Sequence, residues 1–523
     1  MALPPKLIIL LLAALALTTI YLLTRIHRTL RHRHLSRRYG CRPIARSFNR
    51  DPFLGLDTLP STIRAIRAHR ILARGCELFA RYGRTFTTRE LQHRIILTIE
   101  PENIKTILSV NFQDYGLGHR TKPFRPLLGQ GIFNSDGAHW AASRALLRPS
   151  FARDQVVADL AVLEELIQDL WTVLPRDGAT VDLQEWLFKY TIDSATGFLF
   201  GESVHTLRTP VGQTRKEGVG VGVGFAEAFQ YAQKAVLVRG TLGWLNAFYR
   251  DRKAEECNRR CRDFVRVFVD EAVRAVEMRK TGDDQEDVDA VEGEKPKGKR
   301  IFSHELAART ADKERILDEL MAVLLAGRDT TASLLGNLFF MLAKSPAIWA
   351  RLRREVECLQ GRPPSYEELQ GLRFVECCIK ESLRLHPVVP RNQREAIRDT
   401  VLPLGGGDDG LAPAFVPKGT LVAYNLYAMH RRADLYGDDA DDFRPERWED
   451  GKLQLRLRWA YLPFNGGPRI CIGQRYALTE ASYVLVRMVQ EFRRLESRDP
   501  GPWEESRGLT LCSRNGTRVG LIR

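Results

Sequence analysis

The sequence predicts a mainly α-helical protein with a small β-rich subdomain, preceded by one N-terminal transmembrane helix. Three observations predict it. Residues 7–23 are almost wholly apolar (LIILLLAALALTTIYLL). From about Asp51 onward, amphipathic helical stretches alternate with short β-like runs such as Thr85–Thr88 and Arg94–Thr98. The longest helical pattern, Ala311 to Lys344, is apolar on nearly every face, so it should cross the interior rather than lie on the surface.

The N-terminal segment comes first. A helix over 7–23 spans about 25 Å, at the short end of what a bilayer core requires. Arg25, Arg28, Arg31, Arg33, Arg37 and Arg38 follow it, against a lone Lys6 before it, which places the C-terminal body in the cytosol. A cleaved signal peptide fits less well, because the apolar run continues past Ala16 and the charge lies on the wrong flank. The expected organisation is therefore an anchor at 1–24, a basic linker at 25–44 and one large domain at 45–523. The expected location is the endoplasmic reticulum membrane, single-pass, with the sequon Asn515-Gly516-Thr517 unglycosylated on the cytosolic side.

The formal charge of the 523-residue chain is +15, but seven arginines between Arg25 and Arg42, with no acid among them, supply about half of it. A membrane surface explains that cluster, nucleic acid explains the remainder poorly, and a residual positive face could dock an acidic redox partner. The nine cysteines are odd in number and irregular in spacing, which reads as reduced thiols. Of the adjacent Cys377 and Cys378, one is expected to be packed and one near the surface. Residues 280–300 (KTGDDQEDVDAVEGEKPKGKR) are polar and charge-segregated, the pattern of a flexible surface loop. Gly218–Gly224 (GVGVGVG) reads as an irregular stretch before an apolar aromatic run from Phe225 to Tyr249, either a loop and two packed helices or a mobile lid over a lipophilic entrance touching the membrane. No repeat of 20–50 residues is visible.

The most informative segment is Phe464-Asn465-Gly466-Gly467-Pro468-Arg469-Ile470-Cys471-Ile472-Gly473, which runs into a helical pattern. A cysteine in a Gly-rich turn at a helix N-terminus meets free amide groups, a positive dipole end and a guanidinium, Arg469, all of which favour thiolate. A thiolate bound to heme iron donates electrons that favour O–O cleavage. Gly467 and Gly473 would let the backbone approach a flat macrocycle, Phe464 would cover the sulfur side, and Arg469 would reach a propionate.

These residues complete F-x-x-G-x-R-x-C-x-G, and the segment resembles the heme-binding signature of the cytochrome P-450 superfamily. The resemblance implies that family's fold, with heme b (iron protoporphyrin IX) ligated axially by Cys471. Other matching segments follow the family's order. Glu381-Ser382-Leu383-Arg384 resembles its E-x-x-R helix, and Phe443–Trp448 the later segment that supplies Arg447. By resemblance, Glu381, Arg384 and Arg447 form an ion network that locks the cysteine loop. Ala326-Gly327-Arg328-Asp329-Thr330-Thr331 resembles the oxygen-binding motif, in which Asp329 and Thr330 relay protons and Gly327 leaves room for dioxygen. Thr330 is also expected to disturb the local helix ladder. Trp140 and Arg144, four apart on one helix face, match a W-x-x-x-R pair that meets a propionate, and Arg394 occupies the position of another propionate-binding arginine. His119, His386 and His430 are read as packing or surface residues.

Residues 127–140, 188–203, 318–335, 383–396 and 463–492 are most similar to fungal alkane- and fatty-acid-hydroxylating members of the superfamily. That similarity implies O2- and NADPH-dependent terminal (omega) hydroxylation of a lipophilic small molecule. Electrons would come from an NADPH-cytochrome reductase, with cytochrome b5 as an auxiliary donor, because the chain has no flavin or nicotinamide domain. The alternatives are oxidation of another lipophilic secondary metabolite, a peroxide isomerase, or a non-catalytic heme-binding sensor or electron carrier. The Asp329–Thr330 pair argues against a carrier, which needs no proton relay.

Overall fold

A computed structural model of the chain describes residues 5–47, 51, 55–90, 93–208, 221–242, 246, 248–281, 301–506 and 508–523. It divides into two compact units. The first comprises Met1–Ile63, Gly75–Gly116 and Gln393–Asn425; the second comprises Arg64–Arg74, Leu117–Asn392 and Leu426–Arg523.

In the first unit the apolar N-terminal run opens a single helix, Pro5–Arg38. Its Leu11–Arg38 portion is long and apolar enough to cross a membrane. Leu15, Leu17, Ile20 and Leu23 are exposed, so the protein itself covers none of this apolar face. The basic segment expected as a linker is helical through Arg38, and Arg31 and His32 reach Asp399 at 3.3 and 3.5 Å. The helix stops where Gly40 takes φ +62° and the Cys41 N–H turns back to the Ser36 carbonyl at 2.8 Å.

The β-rich part is a six-stranded sheet in the order Ala45–Arg46, Thr85–Glu90, His93–Thr98, Leu421–Asn425, Arg391–Ala396, Tyr115–Gly116. The two runs expected as strands form its antiparallel hairpin, with Thr85 opposite Thr98 and Arg89 opposite Arg94. The Thr85 and Thr98 hydroxyls lie 2.8 Å apart, and the Asn103 amide donates to both at 3.1 Å. Strand Leu421–Asn425 is buried at every position, as its apolar sequence requires of a central strand. A second hairpin pairs Thr400–Gly406 with Ala412–Val416.

The second unit is built around helix Lys313–Ala343, within two residues of the expected bounds. Asp312 caps its N-terminus, accepting from the Arg315 N–H at 3.0 Å. Leu334, Leu335, Leu338, Phe339 and Leu342 enter one core with residues of helices Leu160–Val173, Leu183–Phe200, Arg373–Leu385 and Gln474–Glu491. That burial on all sides is what its apolar circumference predicts. A three-stranded antiparallel sheet joins Arg494–Ser497, Arg518–Ile522 and Asp177–Asp182.

Two local expectations meet a different outcome. Residues 221–224 of the glycine–valine stretch are not irregular: they begin helix Val221–Leu242, which is held by Phe225 stacking on Phe229 and on Phe264 of helix Arg252–Thr281 at 5.7 and 4.2 Å. Cys377 and Cys378 are both buried, at 4% and 0% exposure, because helix Arg373–Leu385 is covered on both of the faces they occupy. The loop expected at 280–300 falls almost wholly outside the described residues. His386 and His430 are buried packing residues, as expected.

Candidate heme site

The cysteine loop is shaped by its backbone. Asn465 and Gly467 take positive φ (+62° and +67°), which turns the chain so that the Cys471 N–H reaches the Phe464 carbonyl at 3.0 Å. Gly466, which the sequence reading did not single out, is the tightest position: a Cβ there would lie 2.6 Å from the Trp459 ring. Gly473 forms the N-cap of helix Gln474–Glu491, and a Cβ on it would touch Phe151 at 3.4 Å. The Gly473 N–H donates to the Cys471 sulfur, and the guanidinium facing that sulfur is Arg144. Burial nevertheless pushes the thiol above its ordinary value, with the Gly473 bond and Arg144 opposing it. Coordination by a metal would deprotonate it outright.

This corrects one expectation. Arg469 does not supply the charge beside the sulfur: it binds the Ser135 carbonyl at 3.0 Å and the Asp136 carboxylate at 2.6 Å, and lies 4.4 Å over the Trp140 ring. Arg144 bonds the Ile470 carbonyl at 2.9 Å. Trp140 and Arg144 share helix Gly137–Leu147, so one helix brings both to the loop, as their spacing suggested. Asp136, at the N-cap of that helix, also accepts from the Leu117 N–H at 2.8 Å. Arg394 belongs to the sheet-containing unit, where it is buried and bonds the neighbouring Gln393 carbonyl at 2.8 Å.

Behind the loop, Glu381 and Arg384 are completely buried. Glu381 accepts from Arg384 Nε and Nη2 (2.8 Å each), Arg447 Nε (2.8 Å), Trp448 Nε1 (2.9 Å) and the Arg444 N–H (2.9 Å). Arg384 uses its other donors on the carbonyls of His430, Ala440 and Asp442. His430 Nε2 in turn accepts from the Leu462 N–H at 3.2 Å. The network therefore reaches the chain two residues before Phe464. Trp448 and His430 are members that the motif spacing did not reveal.

On the central helix, the Thr330 hydroxyl donates to the Ala326 carbonyl at 2.6 Å. That carbonyl is thereby shared between the side chain and the helix ladder. Asp329 is 6% exposed and pairs with Arg328 at 3.2 Å. Burial pushes its carboxyl up, while Arg328 and Gln233 oppose the shift. The Cβ position of Gly327 meets Ala195 of helix Leu183–Phe200 at 3.5 Å, an ordinary van der Waals contact.

These residues fit a heme. Cys471 is solvent-accessible although protein surrounds it, which describes a thiol lining an internal recess. Residues 325–327 and Thr330 are likewise partly accessible in the middle of an otherwise buried helix. Among the described residues no three ligating side chains converge, so a metal at Cys471 would bring its remaining ligands with it, as a porphyrin iron does. Arg144 and Arg469 at the loop suit the anionic edge of such a group.

The family described as Cytochrome P450 matches residues 62–517. The chain is 46% identical over 496 residues to the cytochrome P450 monooxygenase himC of Aspergillus japonicus, covering 94% of this chain and 85% of that protein. It is 45% identical over 509 residues to the cytochrome P450 monooxygenase fsdH of Fusarium heterosporum, covering 96% and 87%. It is 41% identical over 458 residues to cytochrome P450 52A3-B of Candida maltosa, covering 86% and 85%. The loop at Cys471, the buried Glu381 network and these similarities over nearly the whole chain agree: the protein belongs to the cytochrome P450 family of monooxygenases, oxidoreductases that bind heme b through a cysteine thiolate.

Proposed function

We propose that the protein hydroxylates the terminal (omega) carbon of long-chain n-alkanes or fatty acids. One oxygen atom of O2 enters the carbon and the other leaves as water, with two electrons from NADPH delivered by an NADPH-cytochrome reductase and cytochrome b5 as an auxiliary donor. The observation that carries the reading is the pairing, in one helical unit, of the Cys471 loop with the Asp329–Thr330 turn. The lipid substrate class rests on the similarity of five segments to alkane- and fatty-acid-hydroxylating enzymes, and on the exposed apolar N-terminal helix, which suits a membrane-dissolved substrate.

A heme held by Cys471 would supply dioxygen activation. The chain supplies the rest. Gly473 directs an N–H at the sulfur and Phe464 lies at the start of its loop. Arg144, Arg469 and Trp140 take the propionates. Thr330, bonded to the Ala326 carbonyl, presents a hydroxyl at the accessible segment of the helix, and Asp329 resupplies its proton. Glu381, Arg384 and Arg447 hold the loop rigid. The segment at 1–24 anchors the protein in the endoplasmic reticulum membrane, single-pass, with the body in the cytosol. The higher identities to himC and fsdH keep open a second reading, oxidation of another lipophilic metabolite.

The test is incubation of membranes containing the protein and reductase with NADPH and dodecane or lauric acid, followed by mass analysis. Terminal alcohols are expected. Absence of hydroxylated product across chain lengths, with the thiolate spectrum intact, would remove the lipid reading.

A further inference from the structure

We propose that Asp318 and Glu319 of the central helix are positioning residues for the propionate-binding pair Arg469 and Trp140, acting through the loop at residues 129–136. The proposal rests on the reading that Arg469 and Trp140 take a propionate.

Residues 129–136 join helix Thr121–Leu128 to helix Gly137–Leu147 and form no helix or strand of their own. The backbone groups of such a segment need partners from elsewhere. Two of its N–H groups find them on consecutive residues of the central helix, Asp318 and Glu319. The Gln130 N–H donates to Asp318 Oδ2 at 2.7 Å, and the Ile132 N–H to Glu319 Oε2 at 2.9 Å. The other Asp318 oxygen accepts from Arg262 Nη1 of helix Arg252–Thr281 at 2.8 Å, which fixes the orientation of that carboxylate. Glu319 is completely buried, so its bond to Ile132 is shielded from water.

The loop backbone lies directly on the helix. Gly129 takes φ +53°, and a Cβ there would run into the Asp318 carboxylate. A Cβ on Gly131 would lie 2.5 Å from the Asp318 carbonyl oxygen and 3.1 Å from the Ala322 Cβ. The obstacle at Gly131 is backbone, so a side chain there would part the loop from the helix. Carboxylates that merely complement a helix N-terminus act within its first turn. Asp318 and Glu319 lie beyond the first turn of Lys313–Ala343 and bond a different segment.

The far end of the loop carries the contact to the cysteine segment. Asn134 Nδ2 donates to the Gly129 carbonyl at 2.7 Å and Ser135 Oγ to the Gly131 carbonyl at 3.2 Å, which folds residues 134 and 135 back on the part held by the central helix. The Ser135 carbonyl and the Asp136 carboxylate bind Arg469 at 3.0 and 2.6 Å, and Arg469 lies over the Trp140 ring. Glu319 thus fixes Ile132, the adjoining Gly131 carbonyl fixes Ser135, and Ser135 fixes Arg469. Both acids act through the loop and are positioning residues, not catalytic ones.

The experiment uses the full-length holoenzyme. The heme reduction potential and the rate of heme loss are measured for wild type, R469Q, E319L, E319Q, G131A and E319L/R469Q. Withdrawing a cation from the propionates disfavours the added electron, so R469Q should lower the potential. E319L leaves the Ile132 N–H without its acceptor. It should shift the potential in the same direction and release heme about tenfold faster, the factor for one charge-assisted hydrogen bond. E319Q keeps an oxygen for that N–H and should stay near wild type. G131A, which meets a backbone obstacle, should behave as E319L does. In E319L/R469Q the potential should equal that of R469Q alone, because Glu319 acts through Arg469. Should E319L fail to accumulate with heme, G131A and G131A/R469Q carry the same comparison. A wild-type potential in the variants that displace the loop, or a shift that persists undiminished in the R469Q background, overturns the proposal while leaving Arg469 at the propionate. If R469Q itself leaves the potential unchanged, the propionate reading of Arg469 fails, and the proposal with it.

Discussion

Removing the Glu381 charge while keeping its shape tests the idea that a fully satisfied buried network holds the cysteine loop. In E381Q the carboxylate that accepts five hydrogen bonds is replaced by an amide, which turns a donor toward two guanidiniums. Arg384 is fully buried and the Arg447 side chain is 5% exposed, so neither can regain water. Breaking such a pair from one side costs about 3–5 kcal/mol, which is roughly a hundredfold or more in the folded population. W448F removes one of the five donors and should cost only about 1 kcal/mol. R384K keeps a charge but replaces five satisfied donors by three in another geometry, so it should fall near E381Q. The readouts are the denaturant midpoint at which the Soret band is lost and the fraction of heme with the thiolate spectrum. Wild-type values for both in E381Q and R384K would refute the reasoning.

D329N should lower hydroxylation by about 10²-fold, within the usual range for loss of a general acid, while the thiolate spectrum is unchanged; turnover at the wild-type rate would remove Asp329 from the mechanism. G466A should place a methyl against the Trp459 ring, 2.6 Å from the Cβ site, and cost about 1–3 kcal/mol, seen as lower heme retention. Burial pushes the Glu164 carboxyl up, but hydrogen bonds from Arg487, Tyr483 and Gln168 outweigh it and leave it below its ordinary 4.5. Its contribution to stability is therefore present above pH 4.5 and lost as pH falls through the lowered value, so an acid-stability curve of E164Q should be flatter below pH 4.5 than that of wild type.

The sequence reading recovered what periodicity and local chemistry determine. The bounds of the central helix follow from an apolar circumference and an Asp312 cap, and the hairpin at Thr85–Thr98 follows from β-branched alternation. The Cys471 loop was legible in its own residues, and the Glu381–Arg384–Arg447 network was expected only because the motifs resemble those of the family. What escaped depends on contacts distant in sequence. Which arginine faces the sulfur is decided by how helix Gly137–Leu147 docks on the loop, 326 residues away from Arg144 at Ile470. The importance of Gly466 is decided by Trp459. His430 entered only because its ring nitrogen accepts from Leu462. Val221–Gly224 is helical because Phe225 and Phe229 gain aromatic partners, which outweighs the low helix propensity of the glycines.

Ligation of the heme iron by Cys471 is tested most directly by the absorption spectrum of the reduced protein under carbon monoxide. The wild type should show the strongly red-shifted Soret band of thiolate ligation, and C471H, if it retains heme, should lose it. A wild-type band at the position of a histidine-ligated globin, or a red-shifted band that survives the loss of Cys471, would contradict the assignment of this sulfur to the iron.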